Sequence, residues 1–155
     1  MEELDKVLSG DQTELLNTIQ PFQKEIIDSF LEQKNNDYLE AAELWLNSTP
    51  SNTAKFGAEQ KKEKVYRDKL IEEIEKFLCG DDSYSEEREK IAESGDQTQK
   101  YIIGVMSAAI GQTLGVAGTF IAPVIVLLLL SFGKMAINAW CELRKEKKNT
   151  AANNV

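Results

Sequence analysis

The feature that most constrains this chain of 155 residues is an uncharged apolar run over residues 101–133. These 33 residues contain no Asp, Glu, Lys or Arg. An apolar run longer than about 18 residues is typical of a membrane-spanning helix. A single helix of this length would measure about 50 Å, well beyond the ~30 Å hydrocarbon core of a bilayer. The run is therefore either one tilted helix that overshoots the membrane or a segment that folds back on itself.

The centre of the run carries residues that favour a turn. Gly118 and Thr119 are followed by Pro123. In this order Thr119 suits the N-cap of a helix and Pro123 suits its first turn. A break there leaves arms over about residues 101–118 and 122–141, each just long enough to cross. We therefore expect a two-span transmembrane helical hairpin.

The flanks of the run set its expected orientation. Tyr101 and Trp140 lie at the two outer ends, where aromatic side chains anchor helices at a membrane interface, and Lys134 is near enough to extend its amine to the same interface. The tail after Trp140 is basic from Arg144 onward, and the positive-inside rule places such a tail in the cytoplasm. The acidic N-terminal residues do not resemble a signal peptide. The expected location is the cell inner membrane, with the N-terminal domain and the C-terminal tail both cytoplasmic.

The two arms differ in what they can contact. The second is apolar on all sides over residues 124–130 and suits contact with lipid. The first is rich in small residues at a four-residue spacing, which lets helix backbones approach closely. Its predicted helix-packing and pore-lining residues are Gly104, Ser107, Ala108, Gly111, Gln112 and Gly115. Because an amide at mid-depth needs another helix or water, we expect this arm to pack against copies of itself and to line a pore. The alternatives are a non-conducting anchor, a hairpin buried in a soluble oligomer, and a hairpin that inserts on demand.

The rest of the chain is predicted to be all-α, because apolar residues recur at helical spacing and no alternation is long enough for a strand. The expected organisation is a cytoplasmic helical bundle over residues 1–80, a linker with a short helix over 81–96, the membrane hairpin over 97–141 and a basic, disordered tail over 142–155. Asp96 is the expected N-cap of the apolar segment.

Helix ends can be placed within the front half. Pro21 suits the first turn of one helix, and Asn36 or Asp37 suits the N-cap of the next. A long helix over residues 53–78 is expected to end at Gly80, since glycine favours the left-handed conformation that closes helices.

Four lysines are spaced by seven along this long helix, at Lys55, Lys62, Lys69 and Lys76. That spacing makes a nearly axial basic stripe. One interpretation is a solvated flank with local pairs such as Glu72 and Lys76. The other is a docking strip for an anionic ligand such as a nucleotide, an oligonucleotide or lipid headgroups. Interleaved glutamates weaken the second interpretation.

The polar residue types exclude most enzyme chemistry. The sequence has no histidine, which removes histidine-based triads and the usual zinc sites. No glycine-rich phosphate loop and no spaced acid pair occurs. The two cysteines, Cys79 and Cys141, match no metal or redox spacing, so we expect both to be reduced packing or interface residues. No cofactor is expected, and a non-enzymatic role is favoured over a carboxylate-metal hydrolase.

A small cytoplasmic helical domain followed by a short C-terminal membrane hairpin resembles the membrane effectors of bacterial anti-phage defence, such as the HalA-type effector of the Hailong system. It is also similar in plan to the hydrophobic hairpin of pore-forming colicins. The first resemblance implies an ion channel controlled by a protein partner or a nucleic-acid signal, with the lysine stripe as the place for an anionic ligand. It carries over no individual residue. The expected function is an oligomeric, gated pore that contacts lipid, copies of itself and a regulator. A membrane-anchored adaptor module is the alternative.

Overall fold

The computed structural model describes residues 12–47, 60–94, 98–132 and 135–153, and within these ranges it contains eight α-helices and no β-strand. The predicted all-α fold class is confirmed. The helices, numbered here in chain order, are α1 Gln12–Leu16, α2 Pro21–Gln33, α3 Tyr38–Asn47, α4 Gln60–Cys79, α5 Ser85–Ser94, α6 Gln99–Leu114, α7 Gly118–Ser131 and α8 Ile137–Asn153. A short 3₁₀ turn, Asp82–Tyr84, precedes α5.

Helix α7 is the centre of the bundle. Ten of its fourteen residues are buried, including the whole stretch from Pro123 to Leu130. It packs most extensively against α6 and α3, and it also contacts α1 and α2. A helix that is apolar on all sides must be enclosed on all sides, because any face left in water would expose apolar surface. The residues that suit lipid in the sequence therefore lie in the protein core.

The surrounding helices are amphipathic and turn one face inward. Helix α3 packs on α7 through a patch in which two alanines allow close approach: Ala41, Ala42, Trp45 and Leu46. Helix α4 contributes a second buried stripe with helical spacing: Leu70, Ile74, Phe77 and Leu78. Their outer faces carry exposed charged residues such as Glu40 and Asp68.

Several helix ends lie where the sequence places them. Pro21 is the first residue of α2, and the Asp37 carboxylate accepts the amide of Glu40 at 3.1 Å, so Asp37 and not Asn36 caps α3. Gly80 follows α4 with φ +94°, which confirms its role at the helix end. The start of α6 differs: Thr98 caps it by accepting the amide of Tyr101 at 3.2 Å, whereas Asp96 lies outside the described residues.

The apolar segment and the tail differ from their predicted bounds. The second arm ends at Ser131 instead of residue 141, and Pro123 lies inside α7 and not in its first turn. A separate helix, α8, covers residues that the sequence predicts to be partly hairpin and partly disordered tail. The prediction of disorder over 142–155 is wrong for residues 142–153, because α8 packs along α4 and that contact stabilises a charged helix.

The two cysteines form a disulfide, with 5.7 Å between the Cα atoms of Cys79 and Cys141. The prediction that both are reduced is wrong. Their separation of 62 residues matches no local motif, and only the packing of α8 against α4 brings the two side chains together.

Among the described residues, single helices fail the length and hydropathy criteria for a membrane span, and one pair of helices meets them. No single helix among them is both long and apolar enough to cross a bilayer. Helices α6 and α7 meet the length and composition criteria together, as a pair bent by 118° at the break between them.

Candidate functional site

The candidate site is the apolar helix pair formed by α6 and α7. A short turn joins them, and Gly115 opens it with φ +76°, a conformation that side chains other than glycine rarely adopt. The amide of Val116 donates to the carbonyl of Gly111 at 2.9 Å and closes the end of α6. The break is therefore built by the glycines before Gly118 and not by Pro123.

One row of the small-residue ladder packs inside the pair. A Cβ atom on Gly118 would lie 3.0 Å from the Ser107 carbonyl oxygen and 3.1 Å from the Cα of Ala108. A Cβ atom on Gly111 would lie 2.7 Å from the Val116 carbonyl oxygen. The contact at Gly111 is closer than real Cβ atoms show, and those at Gly118 are tighter than most real Cβ contacts. Gly111 and Gly118 therefore let the two helices turn tightly against each other.

A second row of the ladder faces outward. Gly104, Ala108 and Gln112 are exposed, and space is open around Gly104. Together they form the floor of a groove of about 500 Å³ between α5 and α6. Its rim carries mixed charge and one aromatic ring, from Glu87, Lys90, Lys100 and Tyr101. We call Gly104, Ala108 and Gln112 the outer row.

Two side chains from the enclosing helices hold α7 at its proline. Pro123 has no amide hydrogen, so the carbonyl of Thr119, one turn earlier, has no donor within the helix. Gln23 is buried, and its side-chain amide donates to that oxygen at 2.8 Å. Trp45 donates its indole N–H to the next carbonyl, that of Phe120, at 2.8 Å, while the two rings stack at 6.0 Å. α2 and α3 thus clasp α7 through polar as well as apolar contacts.

A polar network connects α4 with the C-terminal end of α6. The Tyr84 hydroxyl donates to the Glu73 carboxylate at 2.6 Å, and its oxygen lies 3.1 Å from the hydroxyl of Thr113. Burial and the adjacent Glu73 carboxylate raise the pKa of Tyr84 to about 12. The second Glu73 oxygen accepts from Lys76 at 3.1 Å, which raises the pKa of that lysine.

Charge holds helix α8 on α4, and one aromatic contact joins it to the end of α7. The two oxygens of Glu75 accept from Arg144 at 2.5 Å and from Lys148 at 2.6 Å. Burial opposes the charge of Glu75, but the hydrogen bonds from Lys148 and Arg144 outweigh it and lower its pKa. Trp140 packs on Phe132 with 4.8 Å between ring centroids, and the Arg144 guanidinium lies 5.8 Å from the Trp140 ring.

The predicted basic stripe is only partly described. Lys55 lies outside the described residues, as does the predicted anchor Lys134. Lys62 is within α4, where its backbone alone is described, and Lys69 is exposed. Lys76 is paired with Glu73, in line with the solvated-flank interpretation, although the partner is Glu73 and not the expected Glu72. An anionic ligand on this stripe stays a prediction.

Some residues of the site are not evident from sequence reasoning. Gln23 and Trp45 are more than seventy residues from α7 in the chain, and only the fold shows that they meet its carbonyls. The available signal is Pro123, which leaves a free carbonyl at Thr119 in any helix that contains both. The sequence predicts that Gly118 is a turn residue. In the structure it also lets α7 pack closely against the backbone of Ser107 and Ala108.

Comparison of the chain with protein-family models, with curated proteins and with solved structures gives no match. Across the described ranges, no group of three or more Cys, Asp or Glu side chains is placed to hold a metal ion.

Proposed function

We propose that this chain is a regulated membrane effector that stores an apolar helix pair inside a helical bundle and inserts it on a signal. The inserted form is an oligomer that conducts ions through the inner membrane, with the N-terminal helices and the C-terminal helix left in the cytoplasm. Anti-phage defence is the setting that the architectural resemblance implies.

The observation that carries the proposal is the enclosure of the apolar part of α7. Ten of its fourteen residues are buried, and α7 packs against four helices, α1, α2, α3 and α6. Each large apolar side chain among the buried residues is worth about 1.5–3 kcal/mol relative to water. Moving α7 into water would lose all of that free energy. Moving it into a bilayer replaces one apolar environment with another, so only the contacts with the enclosing helices have to be lost.

The short turn between α6 and α7 supports insertion as a pair. One short break separates the two helices. Together they meet the length and composition criteria for a membrane span. Insertion would carry α6 and α7 together as the hairpin that the sequence favours. The clasp from Gln23 and Trp45 would then be the contact that a regulator has to release.

The outer row supports assembly of several copies. Gly104 and Ala108 are exposed in the stored form, so their surface is available to a second α6 without rearrangement of the turn. Small residues at this spacing let two helices approach closely in lipid. Gln112 lies on the same face and would then face a neighbouring copy or a water-filled path.

The first experiment measures ion release from vesicles by the full chain, together with its oligomeric state in detergent. We expect release by the wild type and loss of most of it in Ala108→Leu, because the larger side chain blocks close helix approach. Ala92→Leu is the matched control, since Ala92 is an exposed alanine on α5 outside the pair. Gly111→Leu is unsuitable, because its Cβ atom alone would collide with the Val116 backbone.

The competing function is a membrane-anchored or soluble adaptor in which α7 is a permanent core helix. The burial of α7 and the open groove between α5 and α6 favour this function. It predicts that the wild type releases no ions and that lipid-soluble photolabels do not reach α7 in the presence of vesicles. Both results together would reject the effector proposal.

A further inference from the structure

The disulfide closes a loop that contains the whole apolar pair. Cys79 is the last residue of α4 and Cys141 lies near the start of α8, while α6 and α7 lie between them in the chain. The bond therefore attaches the segment that follows α7 to a helix of the enclosing bundle. Among the described residues, this disulfide is the one covalent cross-link between α8 and α4.

The bond is open to reagents from water. Cys79 is exposed at the end of α4, and Cys141 is partly exposed on α8. A disulfide in such a position can be reached by the thiolate of a reductant, whereas one inside a core cannot. Accessibility of this kind distinguishes labile disulfides from purely structural ones.

The non-covalent contacts of α8 are few, and most are only partly buried. Arg144 and Lys148 reach Glu75 from the surface, with 28% and 59% of their side chains exposed, and salt weakens ion pairs of this kind. Ile137 is buried and Trp140 covers Phe132, but Leu143 is exposed and most of the remaining side chains are charged or polar. Loss of the disulfide would therefore remove the strongest constraint on the position of α8.

The position of Cys141 also limits how far α7 can extend. Helix α7 measures about 21 Å, which is shorter than the ~30 Å hydrocarbon core. If the break between α7 and α8 became helical, the continuous helix from Gly118 to Cys141 would measure about 36 Å and could cross. That change carries Cys141 along the axis of α7 and away from α4, which the bond prevents because it keeps the two Cα atoms within about 7 Å.

We propose that the Cys79–Cys141 disulfide is a redox latch that keeps the apolar pair stored, and that a dithiol reductant opens it. This inference rests on the proposed function of the pair and names its regulation. With the latch closed, α8 stays on α4 and α7 stays inside the bundle. With the latch open, α8 leaves α4, and α7 joins the start of α8 in one helix of spanning length.

The chemistry balances as a two-electron thiol–disulfide exchange. One thiolate of the dithiol attacks the more exposed Cys79 sulfur, the protein S–S bond breaks, and Cys141 leaves as a thiolate that takes up a proton. The second thiol of the reductant then attacks the mixed disulfide and releases Cys79 as a thiol. The protein gains two electrons and two protons, and the reductant becomes a cyclic disulfide.

The first measurement tests the latch without any membrane. Backbone amide exchange of the full chain is followed by mass spectrometry with and without dithiothreitol, at matched pH. We expect exchange in α8 to accelerate at least about tenfold on reduction, with α2 and α3 unchanged. The double variant Cys79→Ala with Cys141→Ala should show the fast rate in both conditions. Equal protection of α8 in oxidised and reduced wild type would overturn the latch.

The second measurement separates the latch from the proposed function. Release of a dye from phosphatidylglycerol vesicles is recorded for the same samples, and we expect reduced wild type to release it at least several-fold faster than oxidised wild type. Faster exchange in α8 without any release, under either condition, leaves the latch standing and rejects the membrane function. Equal release in both conditions rejects control by the disulfide even if the pair inserts.

Discussion

Pro123 changes what its neighbours must do, because a proline inside a buried helix leaves a carbonyl without its donor. In a bilayer or a dry core such an oxygen costs free energy unless another group binds it. Here Gln23 supplies the donor from α2, and Trp45 binds the adjacent carbonyl from α3. The position of α7 in the bundle thus depends on two side chains, and the membrane-inserted form that we propose would have to replace them with other donors.

We predict that Gln23→Met lowers the free energy of unfolding by about 0.5–1.5 kcal/mol, because it keeps the length of the side chain but removes the donor of the partly buried hydrogen bond to the Thr119 carbonyl. Urea denaturation followed by circular dichroism measures it. Gln33→Met is the control, since Gln33 is exposed on the same helix. A loss no larger than that of the control would mean that the Gln23 bond does not hold α7.

The two rows of the glycine ladder should respond with opposite signs to alanine. Gly111→Ala places a Cβ atom against the Val116 backbone, and we predict a loss of about 1–3 kcal/mol in unfolding free energy. Gly104→Ala meets open space inside a helix, and we predict a gain of about 0.5–1 kcal/mol. Thermal and urea unfolding of both variants checks this. Similar losses in both would contradict the division into an inner and an outer row.

At the scale of elements, sequence reasoning finds the helices better than it finds their relations. The all-round apolar pattern over residues 124–130 predicts a helix that avoids water, and it does so whether lipid or protein surrounds it. The sequence also wrongly predicts a disordered tail where α8 forms. The charged sequence of α8 gives no sign of a partner, and contact with α4 stabilises the helix. Propensity describes a segment alone, whereas helix stability in a protein comes mainly from packing.

The contact between α4 and α6 through Tyr84 gives a pH-dependent prediction. The folded protein raises the pKa of Tyr84 from 10.0 to about 12, so the folded state holds this proton more tightly than the unfolded state. The corresponding stability is complete below pH 10 and is lost as pH rises towards 12. We predict a steeper fall of unfolding free energy over this range in wild type than in Tyr84→Phe, measured by urea titration. Lys76 also deprotonates at high pH, but it does so in both proteins. Parallel curves would show that the hydroxyl carries no such linkage.

At the scale of the molecule, the net charge would oppose approach to an anionic membrane. The formal net charge is −8 at pH 7, and the first 60 residues hold twelve acidic and four basic side chains. An anionic bilayer would therefore repel the bundle that encloses α7. Glu75 adds a local effect: its lowered pKa means that its ion pairs with α8 are complete at neutral pH and are lost as pH falls.

We predict that binding to phosphatidylglycerol vesicles increases when the pH is lowered from 7 to about 5, because protonation of carboxylates reduces the repulsion. Co-flotation of the full chain with vesicles measures binding. Vesicles of phosphatidylcholine are the control, since they carry no net charge and should show a smaller change. An equal or larger change with the neutral lipid would show that repulsion is not what limits binding.

The sequence alone determines that the described ranges of this chain are all-α, that the chain has no histidine chemistry, and that one segment must be shielded from water. Those conclusions depend on periodicity and composition, which are local properties. Only the tertiary structure decided what shields that segment, which row of small residues faces outward, and that Cys79 meets Cys141 across 62 residues. The physical reason is that the hydrophobic effect favours any apolar surroundings equally, so a pattern of apolar residues cannot say whether lipid or protein surrounds them.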